Sequence, residues 1–225
     1  MKLYKDPILN FTEIFNEKNG LLIRTNILDK NGRETKVEPA MRSFPELIDI
    51  GIMGKCHVNQ MFCKKFGVDC YQANNNYEDM CLDDYKRIID ECKNKTFQVA
   101  LGGRGDPNKH EKFIEILKYT RNNGIIPNLT TTGINITKKE IIAMKKYCGA
   151  VAISMYSKII NINGKLIESN PKSEEAIKKL ISQKITTNVH YVISNETIDD
   201  VITRLENDLF PTGVNAVIFL LYKPV

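Results

Sequence analysis

Residues 47–70 read LIDIGIMGKCHVNQMFCKKFGVDC, in which an apolar run from Leu47 to Met53 is followed by three evenly spaced cysteines. The run predicts a buried β-strand, and Cys56, Cys63 and Cys70 come soon after it. Three thiolates that converge at the end of a strand can hold an iron–sulfur cluster or a metal ion and leave one coordination position open. The stretch therefore predicts a strand with a reactive centre at its carboxyl end.

The spacing of the cysteines excludes one continuous helix as the scaffold of such a centre. In a helix Cys56 and Cys70 would lie roughly 21 Å apart along the axis, at about 1.5 Å per residue, which is too far for one metal centre. Residues 55–70 must therefore wrap as a loop, with Gly67 free to adopt a turn conformation. Buried cysteines also pack as small hydrophobic side chains, so the spacing alone leaves both roles open.

The chain from residue 47 onward alternates between strand-like and helix-like segments. Apolar runs lie at 47–53, 97–102, 125–131, 150–156, 186–193 and 215–222, and amphipathic stretches lie near 78–93, 109–123, 137–147, 172–183 and 197–208. This order predicts an α/β fold, a partial (β/α)6 TIM-like barrel of parallel strands, with an open doubly wound sheet as the alternative. Both architectures bind ligands at the carboxyl ends of their strands, where the cysteine loop lies.

Several residues mark the ends of the predicted helices. Thr137, followed three residues later by Glu140, predicts a capping box at a helix N-terminus. Gly124 and Gly149 each follow an amphipathic stretch and predict helix C-termini. These signals agree with the division of the chain into alternating segments.

We expect the chain to have two parts. Residues 1–46 contain a β-branched run from Leu21 to Leu28 and an Asp-Lys-Asn-Gly turn at 29–32, which predict a hairpin-like N-terminal extension. Residues 47–225 are predicted to form the core domain, because a chain of 225 residues with 42% hydrophobic content can bury one sizeable core. No helical segment follows the last apolar run to cover it, so we expect a C-terminal continuation.

Composition restricts the setting of the protein. No window approaches the ~20 apolar residues of a membrane span, and the first residues lack the apolar core of a signal peptide, so a cytoplasmic location and no membrane partner are predicted. Six cysteines in such a setting favour reduced thiols over disulfides. The net charge of +5 comes from scattered lysine pairs on predicted helix faces, which favours solvated surfaces over a nucleic-acid interface.

Polar residues end or follow four further predicted strands, in the segments Leu101-Gly-Gly-Arg-Gly-Asp-Pro107, Asn128-Leu-Thr-Thr-Thr-Gly133, Ser154-Met-Tyr156 and Thr187-Asn-Val-His190. Glycines let the backbone approach a bound molecule, and Asp106 can accept hydrogen bonds from an ammonium group. Each segment also has a structural interpretation, because glycines form tight turns and threonine is a good strand former. Four such strand ends in succession favour a ligand site.

Together with the cysteine triad, these segments resemble the radical S-adenosylmethionine (SAM) enzymes over about residues 45–225. In that family three cysteines bind a [4Fe–4S] cluster, SAM occupies the fourth iron, and an electron from the cluster cleaves SAM to a radical that abstracts hydrogen from the substrate. The resemblance implies that Cys56, Cys63 and Cys70 are the cluster ligands. It also implies an electron donor such as flavodoxin or ferredoxin, and a small-molecule or peptide substrate that the sequence does not identify.

The resemblance further implies which residues contact SAM. They are Gly102, Gly103 and Asp106 at the methionine amino group, Thr130, Thr131 and Ser154 near the ribose or carboxylate, and Asn188 or His190 near the adenosyl side. The chain departs from the family pattern in its cysteine spacing, which is C-x6-C-x6-C in place of C-x3-C-x2-C, with Asp69 before the last cysteine and Tyr71 after it. The turn after the second strand is also longer and carries Asp106 in place of glutamate.

Two other functions remain open from the residues alone. A zinc-stabilised α/β binding domain could use the triad with His57 or His110 as the fourth ligand. A phosphate-binding barrel enzyme could use the glycine turn after the second strand. The remaining cysteines, Cys81, Cys92 and Cys148, are predicted to be ordinary buried or partly buried thiols.

Overall fold

The computed structural model of the chain describes residues 1–39, 41–58, 60–66, 70 and 76–222. Gly67, Asp69 and Tyr71 lie outside the described residues, so the predictions made for them stay predictions. The strands are β1 (Lys2–Lys5), β2 (Thr12–Phe15), β3 (Leu22–Arg24), β4 (Leu47–Ile50), β5 (Gln98–Leu101), β6 (Ile126–Thr131), β7 (Val151–Ser154), β8 (Ile159–Ile162), β9 (Lys165–Glu168), β10 (Thr187–Ile193) and β11 (Ala216–Leu221). The helices are α1 (Gln60–Lys65), α2 (Leu82–Cys92), α3 (Phe113–Asn122), α4 (Lys138–Tyr147), α5 (Lys172–Ser182) and α6 (Ile198–Glu206).

The centre of the fold is a six-stranded parallel sheet in the order β4-β5-β6-β7-β10-β11. The sheet curls into a half-barrel, and helices connect most of its successive strands. The predicted partial TIM-like barrel is therefore confirmed. Each of its strands lies within one of the predicted apolar runs, and α2 to α6 lie within the predicted amphipathic stretches.

Alternation along the strands separates an apolar face from a polar one. Every second residue, such as Val99 and Leu101 on β5 or Val189 on β10, belongs to the buried core that includes the inner faces of the helices. The residues between them point to the opposite, concave face. Asn128, Thr130, Ser154, Asn188 and His190 all occupy such positions. The sheet therefore presents polar groups to the inside of the half-barrel.

The helix-end signals are confirmed except at one glycine. Thr137 Oγ1 accepts a hydrogen bond from the Glu140 backbone N–H at 3.2 Å, and the reciprocal bond completes the predicted capping box. Gly124 follows α3 with φ of +76°. Gly149 does not adopt the left-handed conformation of a helix-ending glycine. Instead it allows close packing, since an added Cβ would lie 2.6 Å from Ile126 Cγ2.

The N-terminal extension contains the predicted turn but is organised differently from a simple hairpin. The Gly32 backbone N–H donates to the Asp29 carbonyl at 3.0 Å, and Leu28 pairs with Glu34 across the turn. Its regular strands, β1 to β3, form an antiparallel sheet that the sequence analysis did not predict. Phe15 of β2 stacks on Phe97 with ring centroids 4.9 Å apart, so the extension packs at the amino ends of the barrel strands.

The sequence analysis also missed the hairpin of β8 and β9, inserted between β7 and α5. Its turn is Asn163-Gly164, with φ values of +52° and +82°. An Asn-Gly pair between two apolar stretches is a strong hairpin signal that was available in the sequence. In the described part of the chain no helix is long and apolar enough to cross a membrane.

A buried ion network attaches this hairpin to the barrel. Arg204 of α6 is fully buried, and its Nε donates to Asp200 Oδ2 at 2.6 Å while Nη2 donates to Glu168 Oε2 at 2.9 Å. The Tyr191 hydroxyl donates to Asp200 and to the Ser157 carbonyl. Removal of the arginine would leave two carboxylates without their cationic partner. This loss is unfavourable, because a charge in the protein interior must be paired.

We predict that Arg204→Leu lowers the free energy of unfolding by about 3–5 kcal/mol, since it leaves the mostly buried carboxylates of Glu168 and Asp200 without their cationic partner. Urea unfolding of both proteins measures the difference. Arg87→Leu is the matched control, because Arg87 pairs with Asp84 on an exposed helix face at 3.2 Å and should lose less than about 1 kcal/mol. Equal losses in the two variants would contradict the prediction.

Candidate functional site

The three cysteines line one cavity at the carboxyl ends of the barrel strands. The cavity, called the thiol cavity below, is lined by Cys56, Cys63 and Cys70 together with Val58, Gly103, Arg104, Gly105, Asp106, Thr130, Thr131, Thr132, Ser154 and Tyr156. The cysteines come from the loop and short helix after β4, and the other groups from the ends of β5, β6 and β7. The structure thus brings the triad together with three of the predicted strand-end segments.

Cys56 lies in the loop after β4, where backbone N–H groups surround its sulfur. The N–H groups of Val58 and Gly105 both donate to Cys56 Sγ. Burial raises the pKa of this thiol, and the two donors act against that rise. Such donors favour a thiolate, which is the form that binds a metal.

Cys63 lies on α1 and is buried. Burial raises the pKa of its thiol to about 11, while the Tyr156 hydroxyl donates a hydrogen bond to the sulfur. Tyr156 follows β7 and is itself held edge-on against Phe62, with ring centroids 5.9 Å apart. Hydrogen bonds to cluster sulfurs are one of the means by which a protein sets a reduction potential. Tyr156 is therefore a functional candidate that the sequence analysis did not select, although it ends the segment that begins at Ser154.

The turn after β5 lies directly against the cysteine loop. Gly105 has φ of +63°, and a Cβ on it would lie 2.5 Å from the Lys55 carbonyl oxygen. Arg104 Nη1 donates to the Gly54 carbonyl at 3.1 Å. These contacts need a glycine at position 105, because any side chain would push the two backbones apart.

Asp106, which is predicted to contact the amino group of SAM, is buried and already accepts hydrogen bonds from the protein. Its Oδ1 accepts from the Thr132 N–H at 2.7 Å, and its Oδ2 accepts from the Thr132 hydroxyl at 2.6 Å. Thr131 donates to Asn108 Oδ1 at 2.7 Å. The two hydrogen-bonded pairs join the ends of β5 and β6, so Asp106 and Thr131 shape the cavity wall. A carboxylate has about four lone-pair sites, so Asp106 can still accept from a ligand.

The other predicted SAM contacts fall into two groups. Gly103 and Thr130 line the thiol cavity, as does Ser154, and Gly102 lies against Thr130, which a Cβ on it would meet at 3.6 Å. His190 pairs with Ser154 across β7 and β10 and lines a small adjoining pocket with Ser154 and Tyr156. Burial lowers the pKa of the His190 imidazole, which favours its neutral form.

Asn188 is not brought to the thiol cavity. It lies two residues before His190, toward the amino end of β10, and accepts a hydrogen bond from Asn215 Nδ2 at 3.1 Å. It lines a different cavity, at the amino ends of the strands, together with Asn128 and Gly149. Of the two alternatives on this strand, the structure therefore places only His190 near the predicted cofactor site.

The described donors do not form a compact site for a single metal ion. Among the described residues no group of three or more His, Cys, Asp or Glu side chains lies close enough to hold one metal ion. The cysteine ligands of a [4Fe–4S] cluster bind different irons, so their sulfurs need not meet at one point. His110, a proposed zinc ligand, is buried with both ring nitrogens engaged: Nε2 with the Met80 carbonyl at 2.9 Å and Nδ1 with the Lys112 N–H at 3.0 Å.

The cysteines outside the cavity have separate surroundings. Cys92 is buried in the core and Cys148 is half-buried, as predicted. Cys81 is exposed and caps α2, since its sulfur accepts from the Asp84 N–H at 3.4 Å. The prediction of a buried or partly buried thiol is wrong for Cys81, because a helix N-cap lies at the surface.

No protein-family model matches the chain, and no curated protein matches it at a significant level. Solved structures do match it. SuiB of Streptococcus suis bound to S-adenosylmethionine superposes with a TM-score of 0.64 and 17% identity over 82% of this chain and 42% of SuiB. SuiB bound to the precursor peptide SuiA gives 0.65 and 15% over 99% of this chain and 62% of that one. anSMEcpe with bound AdoMet and Cp18Cys peptide gives 0.58 and 16% over 79% of this chain and 50% of that one.

The TM-scores show a shared fold, while the sequence identities are low. The chain spans less than two thirds of the length of the SuiB and anSMEcpe chains that it matches. The fold of the described residues is therefore that of proteins whose structures contain bound SAM.

We predict that Gly105→Ala destabilises the protein more than Gly103→Ala, by about 1–3 kcal/mol, because only the methyl group at position 105 overlaps a neighbouring backbone. Both glycines have positive φ, but a Cβ at position 103 would meet nothing nearer than 3.9 Å. Both variants thus place an alanine at positive φ, and only Gly105→Ala adds an overlap with the Lys55 carbonyl. Urea unfolding measures the stability, and equal losses would contradict the assigned contact.

A second prediction concerns Cys63 in the metal-free protein under anaerobic conditions. Because its pKa is raised to about 11, the thiol stays protonated near pH 8, and its alkylation by iodoacetamide should accelerate as the pH rises toward 11. Peptide mass spectrometry measures the rate, with exposed Cys81 as the internal standard. Tyr156→Phe should slow the reaction at pH 9 further, since the thiolate loses a donor. Labelling of Cys63 as fast as that of Cys81 at pH 8 would contradict the prediction.

Proposed function

We propose that this chain is the core of a radical SAM enzyme, with Cys56, Cys63 and Cys70 as the ligands of a [4Fe–4S] cluster. The observation that carries the proposal is the convergence of three widely spaced cysteines on one cavity at the carboxyl ends of the barrel strands. Backbone and hydroxyl donors to the sulfurs of Cys56 and Cys63 support a thiolate role.

The shared fold supports the proposal. SuiB and anSMEcpe have structures with bound S-adenosylmethionine, and this chain has their fold over most of its length. The strand-end residues that the resemblance assigns to SAM, apart from Asn188, lie in or beside the thiol cavity. We therefore propose that SAM binds in this cavity.

The residues of this chain have separable roles in that activity. When bound, the cluster and SAM supply the reductive cleavage of the sulfonium and the removal of a hydrogen atom from the substrate. Gly102 and Gly103 leave room for the ligand at the β5 turn. Thr130 and Ser154 offer hydroxyl groups from the concave face, and neutral His190 lies beside Ser154.

We propose a peptide as the first substrate class to test. SuiB has been crystallised with its precursor peptide SuiA and anSMEcpe with the Cp18Cys peptide, and the basic excess of +5 suits an acidic segment. A small molecule is the alternative. We further propose that a flavodoxin or ferredoxin supplies the electron in a reducing, cytoplasmic compartment.

Anaerobic reconstitution with iron and sulfide, followed by electron paramagnetic resonance of the dithionite-reduced protein, tests the proposal. We expect a [4Fe–4S] signal that changes when SAM is added. Alanine at any of the three cysteines should reduce the iron and sulfide content, because each thiolate holds one iron.

Cys81→Ala is the matched control, since Cys81 is exposed and lies outside the thiol cavity. Its iron content should equal that of the unmodified protein. A cluster that forms in all three triad variants, or a signal indifferent to SAM, would refute the proposed function. Stoichiometric zinc without iron uptake would instead favour a structural metal site.

A further inference from the structure

The concave face of the half-barrel changes character from one side of the sheet to the other. On β6 and β7 it carries polar side chains, among them Thr130 and Ser154, which line the thiol cavity. On β10 and β11 the concave positions toward the carboxyl ends include Val192, Ile218 and Leu220. The side of the half-barrel away from the cysteine loop is therefore apolar, and the roles derived above do not use it.

The strand register determines where the two β11 side chains point. Ile218 lies opposite His190, which faces the inside of the half-barrel, and residues paired in register share a face of the sheet. Leu220, two residues further on, faces the same way. Between and before them, Phe219 and Val217 face the helices, where Val217 packs against the core. Ile218 and Leu220 therefore point into the half-barrel.

Both β11 side chains are in contact with solvent although they are apolar. Ile218 is 37% exposed and Leu220 is 41% exposed. Contact between water and aliphatic groups is unfavourable, so a ligand that covers these side chains gains free energy by removing them from water. Exposed apolar surface beside a ligand cavity is typical of a binding surface.

The apolar face is continuous with the thiol cavity. Ser154 and Tyr156 line both that cavity and the small adjoining pocket, which His190 and Val192 also line. Ser154 lies in register with His190, and His190 lies in register with Ile218. Two strand spacings amount to about 10 Å, so a group held against Ile218 lies beside a ligand that occupies the thiol cavity.

The chemistry of this face disfavours a charged ligand group. Burial lowers the pKa of the His190 imidazole, which favours its neutral form. A charged group placed here would lose its water without gaining a partner of opposite charge, because the concave positions of the described strands β10 and β11 carry only uncharged side chains. These positions are Asn188, His190, Val192, Ala216, Ile218 and Leu220.

We propose that Val192, Ile218 and Leu220 form the substrate wall of the site, and that this wall holds the uncharged aliphatic or aromatic side chain of a peptide from which hydrogen is removed. The inference rests on the proposed function, which places SAM in the thiol cavity. It adds the chemical class of the reacting side chain, whereas the net charge of the protein concerns the peptide as a whole. A polar side chain or a second copy of the chain on the same face would be a different result.

Photo-cross-linking of anaerobically reconstituted protein tests the inference, in the presence of SAM and without a reductant. The two probes are capped tripeptides, acetyl-Gly-X-Gly-amide, in which X is photo-leucine or, as the charged counterpart, a lysine that carries the same diazirine. Both are used below saturation, and peptide mass spectrometry maps the labelled residues. We expect photo-leucine to label residues 215–222 at least about fivefold more than the lysine probe does.

Variants of the substrate wall provide the second comparison. Ile218→Asp should lower photo-leucine labelling of residues 215–222 about tenfold, because a carboxylate replaces an apolar contact. Ile202→Asp is the matched control, since Ile202 is an isoleucine of similar exposure on α6, and labelling should stay unchanged. If Ile218→Asp does not fold, Ile218→Ser replaces it and should lower the labelling in the same direction.

Each outcome decides the inference. Equal labelling of residues 215–222 by the two probes, or labelling that the Ile218 variants leave unchanged, overturns it. A concentration-dependent dimer in sedimentation velocity that Ile218→Asp dissociates would identify a second copy as the occupant and would also overturn it. A cluster signal that does not respond to SAM contradicts the proposed function itself, whereas a SAM-responsive signal without selective labelling contradicts only the inference.

Discussion

The close contact between two glycine-containing segments, the β5 turn and the start of the cysteine loop, holds the backbone of Cys56 at the end of β5. Gly105 of the β5 turn packs against the Lys55 carbonyl. Gly54 of the cysteine loop packs against the carbonyl of Glu78, and a Cβ added to Gly54 would lie 2.1 Å from that carbonyl oxygen. Three backbone segments therefore lie side by side with no side chain between them. Because Gly105 also donates its N–H to Cys56, this backbone contact places a hydrogen-bond donor at the first sulfur of the triad.

The alternation of the barrel strands provides the rest of the cavity. Helices cover the apolar face of the sheet, so polar side chains are confined to the concave face, where small neighbours leave space. Thr130 lies beside Ala152 in register, and Asn128 lies beside Ala100. A residue near the carboxyl end of its strand, such as Ser154, can contact a ligand held by the loops. One near the amino end, such as Asn188, faces the opposite opening of the half-barrel, so strand membership alone did not decide which residues line the thiol cavity.

The fold could be predicted from the sequence further than the site could. Apolar runs predict the barrel strands and amphipathic stretches predict the helices that cover them, because burial of a strand or of one helix face requires apolar residues in a regular local pattern. The strands β1 to β3 are only three or four residues long, so they carry little periodic signal. The role of Tyr156 could not be predicted, because its contact with Cys63 joins elements that are distant in sequence and depends on how the cysteine loop folds.

The inserted hairpin is connected to the site through the buried ions. Glu168 on β9 pairs with Arg204, and Arg204 Nη2 and the Tyr191 hydroxyl both donate to the carbonyl of Ser157, at 3.4 and 3.0 Å. Ser157 is the next residue after Tyr156, whose own carbonyl accepts from Asn170 Nδ2 at 2.8 Å. Buried ion pairs add little net stability compared with apolar packing, but they hold groups in defined positions. Here they hold the backbone of Ser157, next to Tyr156. The network therefore helps to orient the Tyr156 hydroxyl toward the sulfur of Cys63.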